Sequence, residues 1–235
     1  MRERVALARR KATRAARRAL RGALLAAGVH RRGFAQAREA FPERFGKPIL
    51  RFDPREVGSL IDTKHWPRSQ HRAFLLDGDW DRVRVERPII ARTIEQVFAE
   101  GVPYTESEQF AHMVAVLESG SGEWNYRCES LEDIHAYFAS LEAAFVSIRD
   151  EGYRTQAELG GDRWDEIQAY LDRRGTLVIG NEGNHRYEMA RVLGLTSVPM
   201  QLRGVHTAWA RSCYDRFGPP LERAVRAGLE ERTVD

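Results

Sequence analysis

The chain has 235 residues, 43% of them hydrophobic and 30% charged. That length suffices to bury one substantial core, and that composition excludes a disordered chain. The net charge of +3 conceals an uneven split, and the two cysteines, Cys128 and Cys213, exclude a disulfide framework or a four-cysteine zinc site. With no apolar run approaching the ~18 residues of a membrane-spanning helix, the composition points to a soluble cytoplasmic domain.

Residues 1–32 hold eleven Lys and Arg against the single acid Glu3, a net +10; the rest carries 26 basic and 33 acidic residues, a net −7. Alanine and arginine favour helix, and Val5, Ala8, Ala12, Ala15 and Ala19 step along one helical face while Arg10, Arg14, Arg17 and Arg21 form a basic stripe. The segment reads as a basic amphipathic arm. It could lie peripherally on an anionic membrane surface, bind nucleic acid weakly through phosphates, or pack as a helix on the domain or on a second copy in a homo-oligomer.

From Lys47 the pattern becomes that of an α/β (α+β) domain, residues 47–235, with a small mixed sheet. Pro48–Phe52 reads as a strand closed by the Asp53-Pro54 turn. A turn-rich stretch to about Arg92 contains Asp77-Gly-Asp79-Trp-Asp81, three alternating carboxylates that could hold Mg²⁺. Arg82 stands where a calcium loop needs glycine, which excludes that motif. The periodicity predicts helices over Ile89–Glu100, Glu106–Leu117 and Ser130–Gly152, the last opening on a capping-box-like Ser130-Leu-Glu-Asp133. Trp164–Asp172 is open between helix and irregular strand. Leu177–Ile179 reads as a buried strand, His185–Leu193 as a helix, Val198–Leu202 as a strand and Pro219–Glu231 as a final amphipathic helix.

The chemistry concentrates at Leu177-Val-Ile-Gly-Asn-Glu-Gly-Asn-His-Arg186. A buried strand runs through Gly180 and Gly183 into a helix N-terminus, where unpaired N–H groups and about half a positive charge favour an anion. Asn184, His185 and Arg186 add donors, and Glu182 could hold a divalent cation or take a proton.

This stretch resembles the ParB/sulfiredoxin-like superfamily, in an uncharacterised ParB-like branch. The matching residues are Gly183-Asn184-His185-Arg186, Ala190, Leu193-Gly194-Leu195 and Val198-Pro199, together with Ser147-Ile148 and Gly152 upstream and the opening Ile49–Val57. The resemblance covers about residues 47–57 and 140–203 and makes residues 60–139 a mostly helical insertion. It implies a nucleoside triphosphate, ATP or CTP, with its phosphates on Gly183, Asn184, His185 and Arg186. The reductases of that superfamily place cysteine where this chain has Asn184. Its partition proteins carry a DNA-binding module after this domain, whereas only residues 203–235 follow Leu202 here. Its kinases place an acid before the glycine, as Glu182 is here. The resemblance therefore favours Mg²⁺-dependent phosphotransfer to a small hydroxylated acceptor, with Glu182, His185 and Asp79 catalytic and Asp77, Asp79 and Asp81 holding metal. Two other functions compete. One is a non-catalytic nucleotide-binding accessory protein at the membrane surface in envelope-polysaccharide metabolism, a setting implied by likeness of the inserted segment to other superfamily members. The other is a nucleic-acid-associated ParB-like protein.

Overall fold

A computed structural model describes residues 33–41, 45–61, 73–83, 89–121, 125–162 and 165–234. The basic arm of residues 1–32, His65, Trp66, His71, Glu86, Trp124 and Trp164 lie outside the described residues.

The fold is mixed α/β. Among the described residues six strands form one sheet: β1 (Ile49–Phe52), β2 (Val57–Leu60), β3 (Leu75–Leu76), β4 (Gln168–Leu171), β5 (Leu177–Ile179) and β6 (Val198–His206). The order is β1-β6-β4-β5-β2, with β3 also on β6. β1 runs antiparallel to Val198–Gln201, while β3 runs parallel to Val205 and His206 further along β6. β4 and β5 form an antiparallel hairpin closed through Asp172–Thr176, and β2 lies parallel to β5. The open Trp164–Asp172 segment thus resolves as strand β4, because pairing with β5 and β6 on both sides satisfies its backbone.

Side-chain alternation divides the sheet into two faces. Ala169, Leu171, Leu177 and Ile179 enter the main core. Tyr170 and Val178 point the other way and pack with Ile61, Leu76 and Trp80. The main core is covered by α6 (Thr207–Phe217) and α7 (Leu221–Glu230), with Phe34 of the short helical stretch 33–39 (α1) against Tyr214. His206 caps α6, its Nδ1 accepting from Ala208 N at 2.9 Å.

The helices α2 (Ile89–Phe98), α3 (Glu108–Ser119) and α4 (Leu131–Glu151) form a second core around Ile94, Met113, Ile134, Phe138 and Phe145. Their ends follow capping chemistry. Ser107 Oγ accepts from Phe110 N, Gly120 ends α3 at φ 58°, and Ser130 Oγ accepts from Asp133 N. The helix α5 (Asn184–Val192) joins the two halves: Tyr187 and Ala190 belong to the sheet core and Met189 to the helical one. The segment read as an insertion therefore contributes both a strand to the sheet, β3, and the helical layer against α5. Among the described residues, no helix is long and apolar enough to cross a membrane.

Candidate functional site: the loop before α5 and its cavity

The loop Gly180–Gly183 is drawn tightly onto β4. Gly180 N donates to Gln168 O at 2.7 Å and Gln168 N to Glu182 O at 3.2 Å. Gly183 sits at φ 75°, and a Cβ there would stand 2.5 Å from Ile167 Cα. Only glycine permits that conformation and that approach. Gly183 is also the N-cap of α5 and offers no side-chain acceptor, so the first N–H groups of the helix have no side-chain cap. Asn184 Nδ2 donates back to Asn181 O at 2.9 Å, which closes the loop, while Asn184 Oδ1 is buried without a hydrogen-bond partner.

The two basic side chains that the sequence places at the mouth face inward instead. His185 Nε2 lies 2.6 Å from the Tyr137 hydroxyl, which accepts from Gln109 Nε2 at 2.6 Å. The hydroxyl and Nε2 share one hydrogen bond, in which either can donate according to the ring's tautomer. Burial, helped by the neighbouring Arg186 charge, pulls the His185 pKa down to about 4. His185 is thus neutral near pH 7 and supplies no positive charge to a phosphate. Arg186 lies close enough to Tyr153 to oppose the effect of burial, which pushes that phenol up to about 12. Arg186 Nη1 is buried without a hydrogen-bond partner.

The lowered His185 pKa has a consequence for stability. Between about pH 6.5 and 4 the unfolded chain takes up a proton that the folded ring refuses. The stabilisation is complete above the unfolded value and is lost as pH falls toward 4, by up to ~3 kcal/mol. Replacing His185 by Gln, which can still hydrogen-bond to Tyr137, should flatten the decline of Tm between pH 6.5 and 4. A decline as steep as that of the wild type would place the titrating group elsewhere.

Beside the loop lies a cavity of about 400 Å³ on the sheet face opposite the main core, with Gly180, Asn181 and Glu182 as one wall. Gln168, Tyr170 and Arg203 form its floor, with Arg127 and Asp165 at the rim. Burial raises the Tyr170 pKa, and the Arg203 charge opposes this. Arg203 Nη1 donates to Gln201 Oε1 at 3.0 Å. Arg127, Asp165 and Arg203 are functional candidates that the sequence reading missed.

Arg127 reaches this place through an unusual turn. Tyr126 and Arg127 both have positive φ, 52° and 63°. For two consecutive residues with side chains this costs about 1–2 kcal/mol each. The turn is held from both sides. Asn125, buried, donates to Met113 O at 3.1 Å and accepts from Cys128 N at 2.8 Å. The Tyr126 ring packs on Tyr137 at 5.1 Å and on His185 at 6.0 Å between centroids.

The aspartates near residue 80 are not gathered at this site. Asp81, 1% exposed, accepts from Arg173 N at 2.8 Å and pairs with Arg173 Nη2 at 2.6 Å. Asp79 pairs with Arg173 and Arg82, both at 2.8 Å, and Asp77 with Arg38. Arg173 lies in the β4–β5 turn, at the opposite end of β5 from Glu182. Asp79 and Glu182, both read from the sequence as catalytic, therefore lie toward opposite ends of β5, and arginines engage the carboxylates expected to hold metal. Among the described residues no group of three or more His, Cys, Asp or Glu side chains is placed to hold a metal ion. Arg173, 92 residues beyond Asp81, gives no local sequence signal for this pairing.

Comparison with known proteins finds no matching family model, no matching curated protein and no matching solved structure.

Proposed function

We propose that the protein binds a nucleoside triphosphate, ATP or CTP, with its phosphates against the Gly180–Arg186 loop and in the cavity beside it. The observation that carries this reading is the loop itself. It presents an uncapped helix N-terminus and forms one wall of a cavity that also contains Arg127 and Arg203. Helix N–H groups and guanidinium forks are the donors that polyphosphate needs. The volume is within the range of small-molecule sites.

Phosphotransfer to a small hydroxylated acceptor is the reaction this arrangement suits. The acceptor oxygen attacks the terminal phosphorus, the bond to the bridging oxygen breaks, and a carboxylate takes the hydroxyl proton. Glu182 and Asp165, both on the cavity, are the carboxylates available for this step and for Mg²⁺. That ion requires only one or two carboxylates when phosphates complete its shell. Asp79 has no part in this arrangement. His185 supports the loop from beneath through Tyr137. The membrane-surface and nucleic-acid readings rest on residues 1–32.

ATP or CTP with Mg²⁺ at millimolar concentration should raise Tm, because a ligand bound only by the folded state stabilises it by mass action. Arg203→Gln should remove the rise. Glu182→Gln should keep the rise and stop any transfer of phosphate to a pool of small alcohols. No rise with any nucleotide would exclude the reading; a rise without turnover in the wild type would make the protein a nucleotide-binding module.

A further inference from the structure

We propose that residues 1–32 dock on the helical layer of their own chain, over an apolar cavity between α2 and α4. The inference is independent of the nucleotide reading.

Charge singles out this face. Residues 89–151, which run from α2 to the end of α4, hold twelve acidic residues against Arg92, Arg127 and Arg149, a net −9. That exceeds the −7 of residues 33–235 as a whole, so the remainder of the domain is slightly basic. The +10 of residues 1–32 is therefore drawn to the helical layer and not to the sheet half.

The cavity supplies an apolar anchor within that field. It measures about 230 Å³ and is lined by Ile94, Val97 and Phe98 of α2, by Val102, and by Phe138 and Leu141 of α4. Glu142 also lines it, while Glu100 and Glu106 each stand two residues along the chain from a lining residue, Val102 and Tyr104. All three glutamates are exposed, and among the described residues their side chains make no ion pair or hydrogen bond. Ala139, Ala143 and Val146 continue the exposed face of α4 at steps of four and three.

A metal ion would satisfy the carboxylates and leave the cavity unfilled; an apolar small molecule would do the reverse. The occupant that satisfies both is apolar on one side and cationic beside it. Leu20 and Leu24 stand four residues apart, and each follows an arginine, Arg17 or Arg21, by three. On a helix those four side chains are neighbours. Reach is no obstacle, since thirty-two residues span about 48 Å even as a helix, against a radius of gyration of ~17 Å for a domain of ~200 residues.

The test follows hydrogen exchange of residues 1–32 in the full chain by mass spectrometry. At low salt their amides should exchange slowly. The combined variant Glu100→Gln, Glu106→Gln, Glu142→Gln should speed that exchange about tenfold, the loss of three surface charge pairs. It changes only exposed side chains, so the fold is retained. Salt at about 1 M, where the Debye length is ~3 Å, should act in the same direction. Leu20→Ala with Leu24→Ala should also speed exchange, although alanine is the better helix former; a helix standing free of the domain would not loosen. Fast exchange in the wild type, or wild-type protection in the glutamine variant, would overturn the proposal. Protection that rises with protein concentration would seat the segment on a second copy, and would overturn the assignment to its own domain.

Discussion

Gly183→Ala should destabilise the protein by ~2–4 kcal/mol, lowering Tm by roughly 5–15 °C for a chain of this size. Two effects add. Alanine at φ 75° costs about 1–2 kcal/mol. Its Cβ would also stand 2.5 Å from Ile167 Cα and 2.8 Å from Ile167 N, atoms that cannot rotate away. The loop would have to lift from β4, breaking the Gln168 N to Glu182 O bond. Thermal unfolding checks the loss of Tm, and on the proposed nucleotide reading the rise in Tm with nucleotide should shrink as well. Gly194→Ala is the control. It too has positive φ, 67°, but nothing lies within 4 Å of an added Cβ, so it should show only the conformational part. An equal loss in both variants would mean that the close approach to Ile167 contributes nothing.

Asp81→Asn should cost ~1–3 kcal/mol, because the charge-assisted hydrogen bonds of a carboxylate only 1% exposed are lost, while Arg173 keeps Asp79 as a partner. The Asp81 carboxylate takes up the backbone N–H and the guanidinium of Arg173 together. Burial acts to raise its pKa, but hydrogen bonds from Arg173 and the His206 and Arg173 charges outweigh it, and the pKa is lowered. This contribution is therefore complete above the ordinary carboxylate pKa and is lost as pH falls below about 4, a window distinct from that of His185. The double variant Asp81→Asn, Arg173→Met should recover none of the loss, since Arg173 is not stranded in the single variant but remains paired with Asp79. Urea titration of the three variants would measure this. A double variant clearly more stable than Asp81→Asn alone would show that the arginine charge is stranded in spite of Asp79.

The elements legible in the sequence are those whose cause is local. Ser130 and Asp133 mark the start of α4, and the apolar run Leu177–Ile179 marks β5. The strand β2 was not legible, because Gly58 and Ser59 have little strand preference. Its pairing with β5 makes it a strand, and Gly58 is needed there because a Cβ would meet Thr176 Cγ2 at 2.6 Å. β6 continues past Leu202 to His206 because β3 and β4 pair with its second half. The site divides the same way. Strand, glycines and helix announce the loop, since all lie within ten residues of one another. Tyr137 is 48 residues from His185, and Arg173 is 92 from Asp81. No spacing rule spans such distances. The acids at 77–81 were visible as a cluster, but the arginines that claim them were not.

The position of α5 between the two cores bears on how this molecule comes apart. A helix of nine residues has little stability of its own in water. It persists because Tyr187 and Ala190 are held on one side and Met189 on the other. Neither the sheet half nor the helical half can therefore loosen while the other stays intact around a formed α5. The two cores behave as one cooperative unit, and their shared keystone is α5.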